Sequence, residues 1–213
     1  MHHLHTVFIV SSSLTVTTII NNAMLTSQYT DDWRLLSQLT TTFPYSQEEV
    51  YTALQNEEYQ GNDGRKWCYE LKSPILQSIY KTVVDRVPTL LEEISKFPNF
   101  VEHWGLADIN DLVKNVKTTC HFVCDKPGYT TGVHLDCKSQ VCTGMLFFNK
   151  EDDLKQSTTF YTSPNKDNPI RISSEYGNGW FSANTYWGHH IGGNNSSRDR
   201  YALIFISNLN LTY

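Results

Sequence analysis

Residues 118–148, TTCHFVCDKPGYTTGVHLDCKSQVCTGMLFF, read as three short strands in succession, over 118–124, 129–135 and 141–148. Thr, Val, Phe and Tyr crowd these runs, and Asp, Pro and Gly punctuate them. The same texture continues downstream, with further strands expected at 157–162, 169–173, 178–184 and 200–207. So many short strands in the C-terminal half predict a small double-sheet roll or sandwich. Residues 118–213 would form this core.

Upstream the pattern turns helical. Ser46 with Glu49 makes a capping box, followed by Val50 and Leu54 at i, i+4 spacing. Ile75, Ile79, Val83 and Val87 mark one helical face; Pro88 interrupts there, as the first position of a further helix carrying Leu90, Leu91 and Ile94. Residues 108–115, DINDLVKN, predict one more short helix. The expectation is therefore a mainly β fold with a helical N-terminal half. Residues 31–117 would support the core within a single domain, 31–213. Residues 1–30 read as an extension, strand or loose.

Composition narrows the function. The chain has 213 residues, with 22 acidic against 17 basic side chains and a net charge of −5. At 39% hydrophobic it can bury a core, which excludes wholesale disorder. The acidic balance argues against nucleic acid as a bulk partner, since phosphate binding wants a Lys/Arg surplus. No run approaches the roughly 20 apolar residues of a membrane span. Residues 7–20, VFIVSSSLTVTTII, lack the basic lead-in of a secretory signal, which makes the cytoplasm the default location. Five cysteines, an odd number, do not read as a disulfide framework. Cys120, His121 and Cys124 lack the paired spacing of a zinc site, so packed thiols are the simpler reading.

The chemistry gathers in two places. In Val133-His134-Leu135-Asp136, strand alternation lets His134 and Asp136 converge on one point. Imidazole plus carboxylate is two-thirds of the facial triad that holds non-haem Fe(II) with positions left open. Downstream stands Trp187-Gly188-His189-His190-Ile191, then a turn-like Gly192-Gly193-Asn194-Asn195-Ser196-Ser197. Arg198-Asp199-Arg200 then leads into the apolar run Tyr201–Ile206. A third histidine and an Arg, whose rigid fork takes a carboxylate through two bonds, complete what a metal site with a carboxylate co-substrate requires.

In this order and spacing, with His190 54 residues beyond Asp136 and Arg200 ten further on, these residues resemble the Fe(II)- and 2-oxoglutarate-dependent dioxygenases. The likeness is to the prolyl-hydroxylase-like branch with its viral and bacterial members, and it covers about residues 118–207. Val141–Asn149, Thr158–Tyr161 and Gly177–Ser182 resemble strands of that family. The resemblance implies a double-stranded β-helix, a jelly roll of cupin type. It implies Fe(II) held by His134, Asp136 and His190, with His189 as the alternative. It further implies 2-oxoglutarate whose distal carboxylate meets Arg200 (Arg198 being the runner-up), O2 as co-substrate, and ascorbate as an auxiliary reductant.

The implied reaction is hydroxylation of a peptidyl residue, with prolyl as the first choice, and release of succinate and CO2. Alternatives are a free amino acid or small metabolite as substrate, or a non-catalytic jelly-roll module that keeps the metal site. Partners would be a peptide, protein or small molecule, with neither nucleic acid nor membrane expected. Phe147 departs from the family, which often carries there a tyrosine whose hydroxyl meets the co-substrate. Tyr129, Thr143 or Ser207 would have to supply that hydrogen bond, with Tyr129 first because it enters the strand just before His134. His121 reads as a packed strand residue, and Trp180 and Trp187 as core aromatics.

Overall fold

The computed structural model describes residues 6–10, 13–20, 23–30, 33–61, 64–96, 115–137, 139–151, 153, 155–161, 169–183 and 189–209. In chain order these give β1 (Thr6–Val10), β2 (Ser13–Ile20), β3 (Ala23–Thr30), β4 (Trp33–Thr42), α1 (Gln47–Gln55), β5 (Arg65–Cys68) and α2 (Pro74–Ile94). Then follow β6 (Val116–Asp125), β7 (Tyr129–His134), β8 (Gln140–Phe147), β9 (Thr158–Tyr161), β10 (Ile170–Ile172), β11 (Asn178–Ala183), β12 (His189–Asn194) and β13 (Arg200–Leu209). Two sheets form. A nine-stranded sheet runs β1-β2-β3-β4-β11-β8-β13-β6-β5, and a four-stranded sheet runs β10-β9-β12-β7.

Strand alternation decides what each face buries. In β13, Tyr201, Leu203 and Phe205 pack in one cluster with Leu76, Ile79, Val83 and Val87 of α2 and Val50 and Leu54 of α1. Ala202 and Ile204 point the other way, into a second cluster with Val123, Met145, Phe147 and Trp180 of the large sheet and Phe160 and Ile172 of the small one. The helices thus cover the outer face of the large sheet, and the small sheet closes over its inner face.

The expected helical N-terminal half does not form. Two helices are present between residues 33 and 96, but that stretch also supplies β4 and β5, and β1–β3 extend the large sheet. Leu35, Leu36 and Leu39 mimic helical spacing, yet residues 38–42 alternate exposed and buried and pair with β11 through Asn178↔Thr40 and Trp180↔Gln38. Thr-rich, β-branched sequence beside an open sheet edge favours the strand. Most of the helix expected over 108–115 lies outside the described residues.

α1 begins as its sequence indicates: Ser46 Oγ accepts the Glu49 N–H at 3.3 Å, and Glu49 Oε2 accepts the Ser46 N–H at 2.7 Å. α2 differs from expectation, because it runs through Pro88 as one helix. Buried positions on both sides of the proline, Val83, Val87, Leu90 and Leu91, stay on one face, and their burial outweighs the lost backbone hydrogen bond. Among the described residues, no helix is long and apolar enough to cross a membrane.

The N-terminus of α2 is capped from a distance. Ser73 makes no side-chain cap; instead the buried Glu57 carboxylate accepts the Ser73 N–H at 2.7 Å and the Lys72 N–H at 3.1 Å. This carboxylate also faces the positive end of the helix dipole. Glu57→Ala is expected to destabilise the fold by about 1–2 kcal/mol, lowering Tm by several degrees in a thermal melt. An unchanged Tm would show that water replaces the cap without cost.

Candidate metal centre

The small sheet brings the two histidines together by register. His190 of β12 lies directly opposite His134 of β7, and their ring centroids are 4.4 Å apart. Asp136 follows just beyond β7, with Oδ1 3.9 Å from both His134 Nε2 and His190 Nε2. All three potential ligand atoms lie within 4.8 Å of one another, the one such His/Cys/Asp/Glu group among the described residues. Ligands side by side on a single ion sit roughly 3 Å apart. The three groups are therefore slightly more open than ligands closed on an ion. His190 is buried, its ring packed on Phe160 (5.1 Å) and Trp180 (5.5 Å). His134 and Asp136 are partly exposed.

A bulge shapes this strand. Val133↔Ile191 and Thr130↔Gly193 leave two residues of β7 against one of β12. Gly132 sits there with φ of 68°, a backbone state that favours glycine. Its carbonyl is 3.1 Å from His134 Nδ1. A carbonyl only accepts, so Nδ1 carries the proton and Nε2 keeps its lone pair for a ligand. The turn-like reading of Gly192-Gly193-Asn194 is thereby corrected: all three belong to β12, and small residues allow the bulge to pair. Gly132→Ala is expected to cost about 1 kcal/mol of stability and to weaken metal binding roughly tenfold by displacing that carbonyl. Metal titration alongside a denaturation curve checks both effects.

Arg200 shares the inner-facing side of β13 with Ala202 and Ile204, and its guanidinium lies 5.7 Å from the Phe147 ring. It is fully buried, as is Asp125 of β6, its register partner. Arg200 Nε donates to Asp125 Oδ2 at 2.9 Å, Nη2 donates to the same oxygen, and Nη1 donates to the Gln156 carbonyl at 2.7 Å. Arg65 of β5 grips the same carboxylate from the other side, Nε to Oδ1 at 2.6 Å and Nη2 to Oδ2 at 2.9 Å. Burial pushes the Asp125 carboxyl up, but the two guanidiniums more than reverse this and hold it below the usual carboxylate range.

The structure disposes the remaining expected residues as follows. Tyr129 lies opposite Asn194, and its ring takes the Arg65 guanidinium at 4.8 Å. The Ser207 hydroxyl is bonded to Thr118 at 2.9 Å. Arg198 is exposed and pairs with Glu151, away from Arg200's interior position. His121 packs edge-on to Trp67 and Tyr69. Burial raises the Cys120 thiol to about 12 and the Cys124 thiol to about 11, so both stay protonated and packed. His189 pairs with Tyr161 in the register of β12 and β9.

Thr143 belongs to a set of orphaned polar atoms. Thr143 Oγ1, Thr158 Oγ1 and Trp180 Nε1 are buried without a hydrogen-bond partner. Thr143 lies two residues from inner-facing Met145, Thr158 two from Phe160, and Trp180 is itself in the inner cluster. An unmet buried donor costs about 1–3 kcal/mol. These three, with the uncommitted N–H bonds of Arg200, fit a ligand rich in acceptor oxygens. Sequence reading missed Asp125, Arg65 and Thr158 as parts of this interior, while Trp180, read as a core aromatic, lies in it. Asp125 could have been found from its place at the end of an apolar strand, where a carboxylate demands a partner.

No family model matches the chain, and no curated protein sequence does. Solved structures do. A Trichoplax adhaerens prolyl hydroxylase, in complex with a hypoxia inducible factor oxygen degradation domain peptide fragment, superposes with a TM-score of 0.57 at 13% identity, over 83% of this chain and 84% of that one. A Pseudomonas putida prolyl-4-hydroxylase gives 0.54 at 11% identity, over 82% and 92%. The epimerase SnoN, in complex with Fe3+, alpha ketoglutarate and nogalamycin RO, gives 0.51 at 12% identity, over 81% and 78%. The chain shares the jelly-roll fold of the prolyl hydroxylases and other Fe(II)- and 2-oxoglutarate-dependent oxygenases.

Proposed function

We propose that this protein is an Fe(II)- and 2-oxoglutarate-dependent oxygenase that hydroxylates a peptidyl residue, prolyl in the first instance. The observation that carries the reading is the convergence of His134, Asp136 and His190 within 4.8 Å, inside a roll whose interior also holds a buried arginine and orphaned donors. Two imidazoles and one carboxylate form the donor set that holds non-haem Fe(II) while leaving positions open. Fe(II) bound there supplies the redox chemistry that couples O2 to decarboxylation of 2-oxoglutarate and oxidation of a substrate C–H.

The chain's own residues bind and orient. The Gly132 carbonyl fixes the His134 tautomer, and Phe160 and Trp180 fix the His190 ring. Arg200 receives the distal carboxylate of 2-oxoglutarate. Phe147 offers no hydroxyl, and we assign that contact to Thr158 or Thr143, whose Oγ1 atoms lack partners. The apolar walls, Met145, Phe147, Phe160 and Ile204, exclude water from the reacting centre. The peptidyl substrate is supported by the two prolyl hydroxylases among the similar folds, one of them with a peptide bound. The likeness to SnoN keeps a small-molecule substrate as the second reading.

The test is succinate release from 2-oxoglutarate by the Fe(II)-loaded protein, with proline-containing peptides and then small metabolites as prime substrates. Arg200→Ala is expected to weaken 2-oxoglutarate binding by about tenfold to a hundredfold while sparing the metal. Metal binding without any 2-oxoglutarate binding in the parent protein would overturn the oxygenase reading.

A further inference from the structure

The cluster behind Arg200 does not balance its charge. Arg65 and Arg200 bring two positive charges to a single negative one on Asp125. Arg200 and Asp125 are fully buried and Arg65 is mostly so, with its side chain 15% exposed. The neighbouring ions cancel in pairs: Lys126 with Asp199 at 2.6 Å, and Arg198 with Glu151. Among the described residues, one positive charge therefore remains on the cluster. A buried charge without a counter-ion is expensive, and a lone Arg200–Asp125 pair would have avoided it. We infer that Arg65 is a positioning residue for the co-substrate, which neutralises Asp125 so that Arg200 keeps a net positive charge for the distal carboxylate of 2-oxoglutarate.

This inference rests on the proposed oxygenase reading and deepens it. With Arg65 in place, the cluster plus one carboxylate sums to zero. Without Arg65, Asp125 already cancels Arg200, and an incoming carboxylate leaves one buried negative charge. Asp125 also orients Arg200. It takes Nε and Nη2, while the Gln156 carbonyl takes Nη1, and together they hold the guanidinium in one orientation. Two of its five N–H bonds find no acceptor among the described residues. The Tyr129 ring beneath Arg65 steadies the outer cation.

The experiment is calorimetric titration of the full chain loaded with Mn(II), with 2-oxoglutarate and with 2-oxopentanoate. The second ligand keeps the chelating 2-oxo acid end and lacks the distal charge. The readout is the ratio of the two affinities. Arg65→Met should lower that ratio by about tenfold or more, with 2-oxopentanoate binding little changed. Arg65→Lys, which keeps the charge, should hold the ratio near the parent value. The double variant Arg65→Met/Asp125→Asn restores a net charge of one, and should recover the ratio to within about threefold of the parent.

An unchanged ratio in Arg65→Met overturns the inference. So does a loss that the double variant fails to recover, because a merely structural role would not be rescued by removing a second charge. If Arg65→Met does not fold, the double variant and Arg65→Lys still decide: both must keep the parent ratio. A parent protein that binds 2-oxoglutarate no better than 2-oxopentanoate overturns the role assigned to Arg200, and this inference with it.

Discussion

Asp125→Asn is expected to destabilise the protein by about 3–5 kcal/mol. The cause is specific. The side chain is fully buried and accepts four N–H bonds, two from Arg65 and two from Arg200. Asparagine keeps the shape but offers one acceptor oxygen and no charge, so two guanidiniums face one another across a neutral amide. Denaturant unfolding at neutral pH measures the loss. The double variant with Arg65→Met should be less destabilised than Asp125→Asn alone, since it removes one of the stranded cations. Ordinary additive behaviour would sink the charge-cluster account.

The same cluster sets a pH dependence whose sign follows from the depressed Asp125 carboxyl. A carboxyl whose folded pKa lies below its unfolded value stabilises the fold above the unfolded value, about 3.9 for Asp. That stabilisation is lost as pH falls through the folded value. The stability gap between parent and Asp125→Asn should therefore be full near neutrality and close progressively below about pH 4. A gap that widens in acid would mean that the carboxyl is not ionised in the native state.

What could be read from sequence follows the period of the pattern. The strands of the C-terminal half were legible because each alternates or runs apolar between turn residues, and register then brought His134 opposite His190 without further information. Residues 33–42 were not legible as a strand, because Leu35, Leu36 and Leu39 satisfy helical spacing as well as β spacing. Only pairing with β11, a tertiary fact, decides between them. The inward aim of Arg200 was readable from alternation along β13, but its partners were not. Asp125 and Arg65 lie 75 and 135 residues away in sequence, and strand order alone makes them neighbours. The bulge at Gly132 was likewise hidden, since no local motif announces it.

Loss of His190 is expected to abolish tight metal binding, and loss of His189 to leave it. His190 Nε2 lies 3.9 Å from Asp136 Oδ1, and its ring meets that of His134. Removing it leaves one imidazole and one carboxylate, too few donors to hold a divalent ion against water. Outer-shell changes at metal sites already cost about 10–100-fold in affinity. His190→Ala and Asp136→Ala should therefore each weaken Fe(II) or Mn(II) binding by more than about 100-fold. Strand alternation gives the interior to one of two successive residues, so His189→Ala should bind metal within about threefold of the parent. Anaerobic equilibrium dialysis measures all three, with circular dichroism to establish that each variant folds. His190→Ala also empties space beside Phe160 and Trp180, so His190→Gln, which fills most of that space, separates a packing defect from a lost ligand. Metal retained in His190→Ala and lost in His189→Ala would exchange the two roles, and would require β12 to shift its register by one residue against β7.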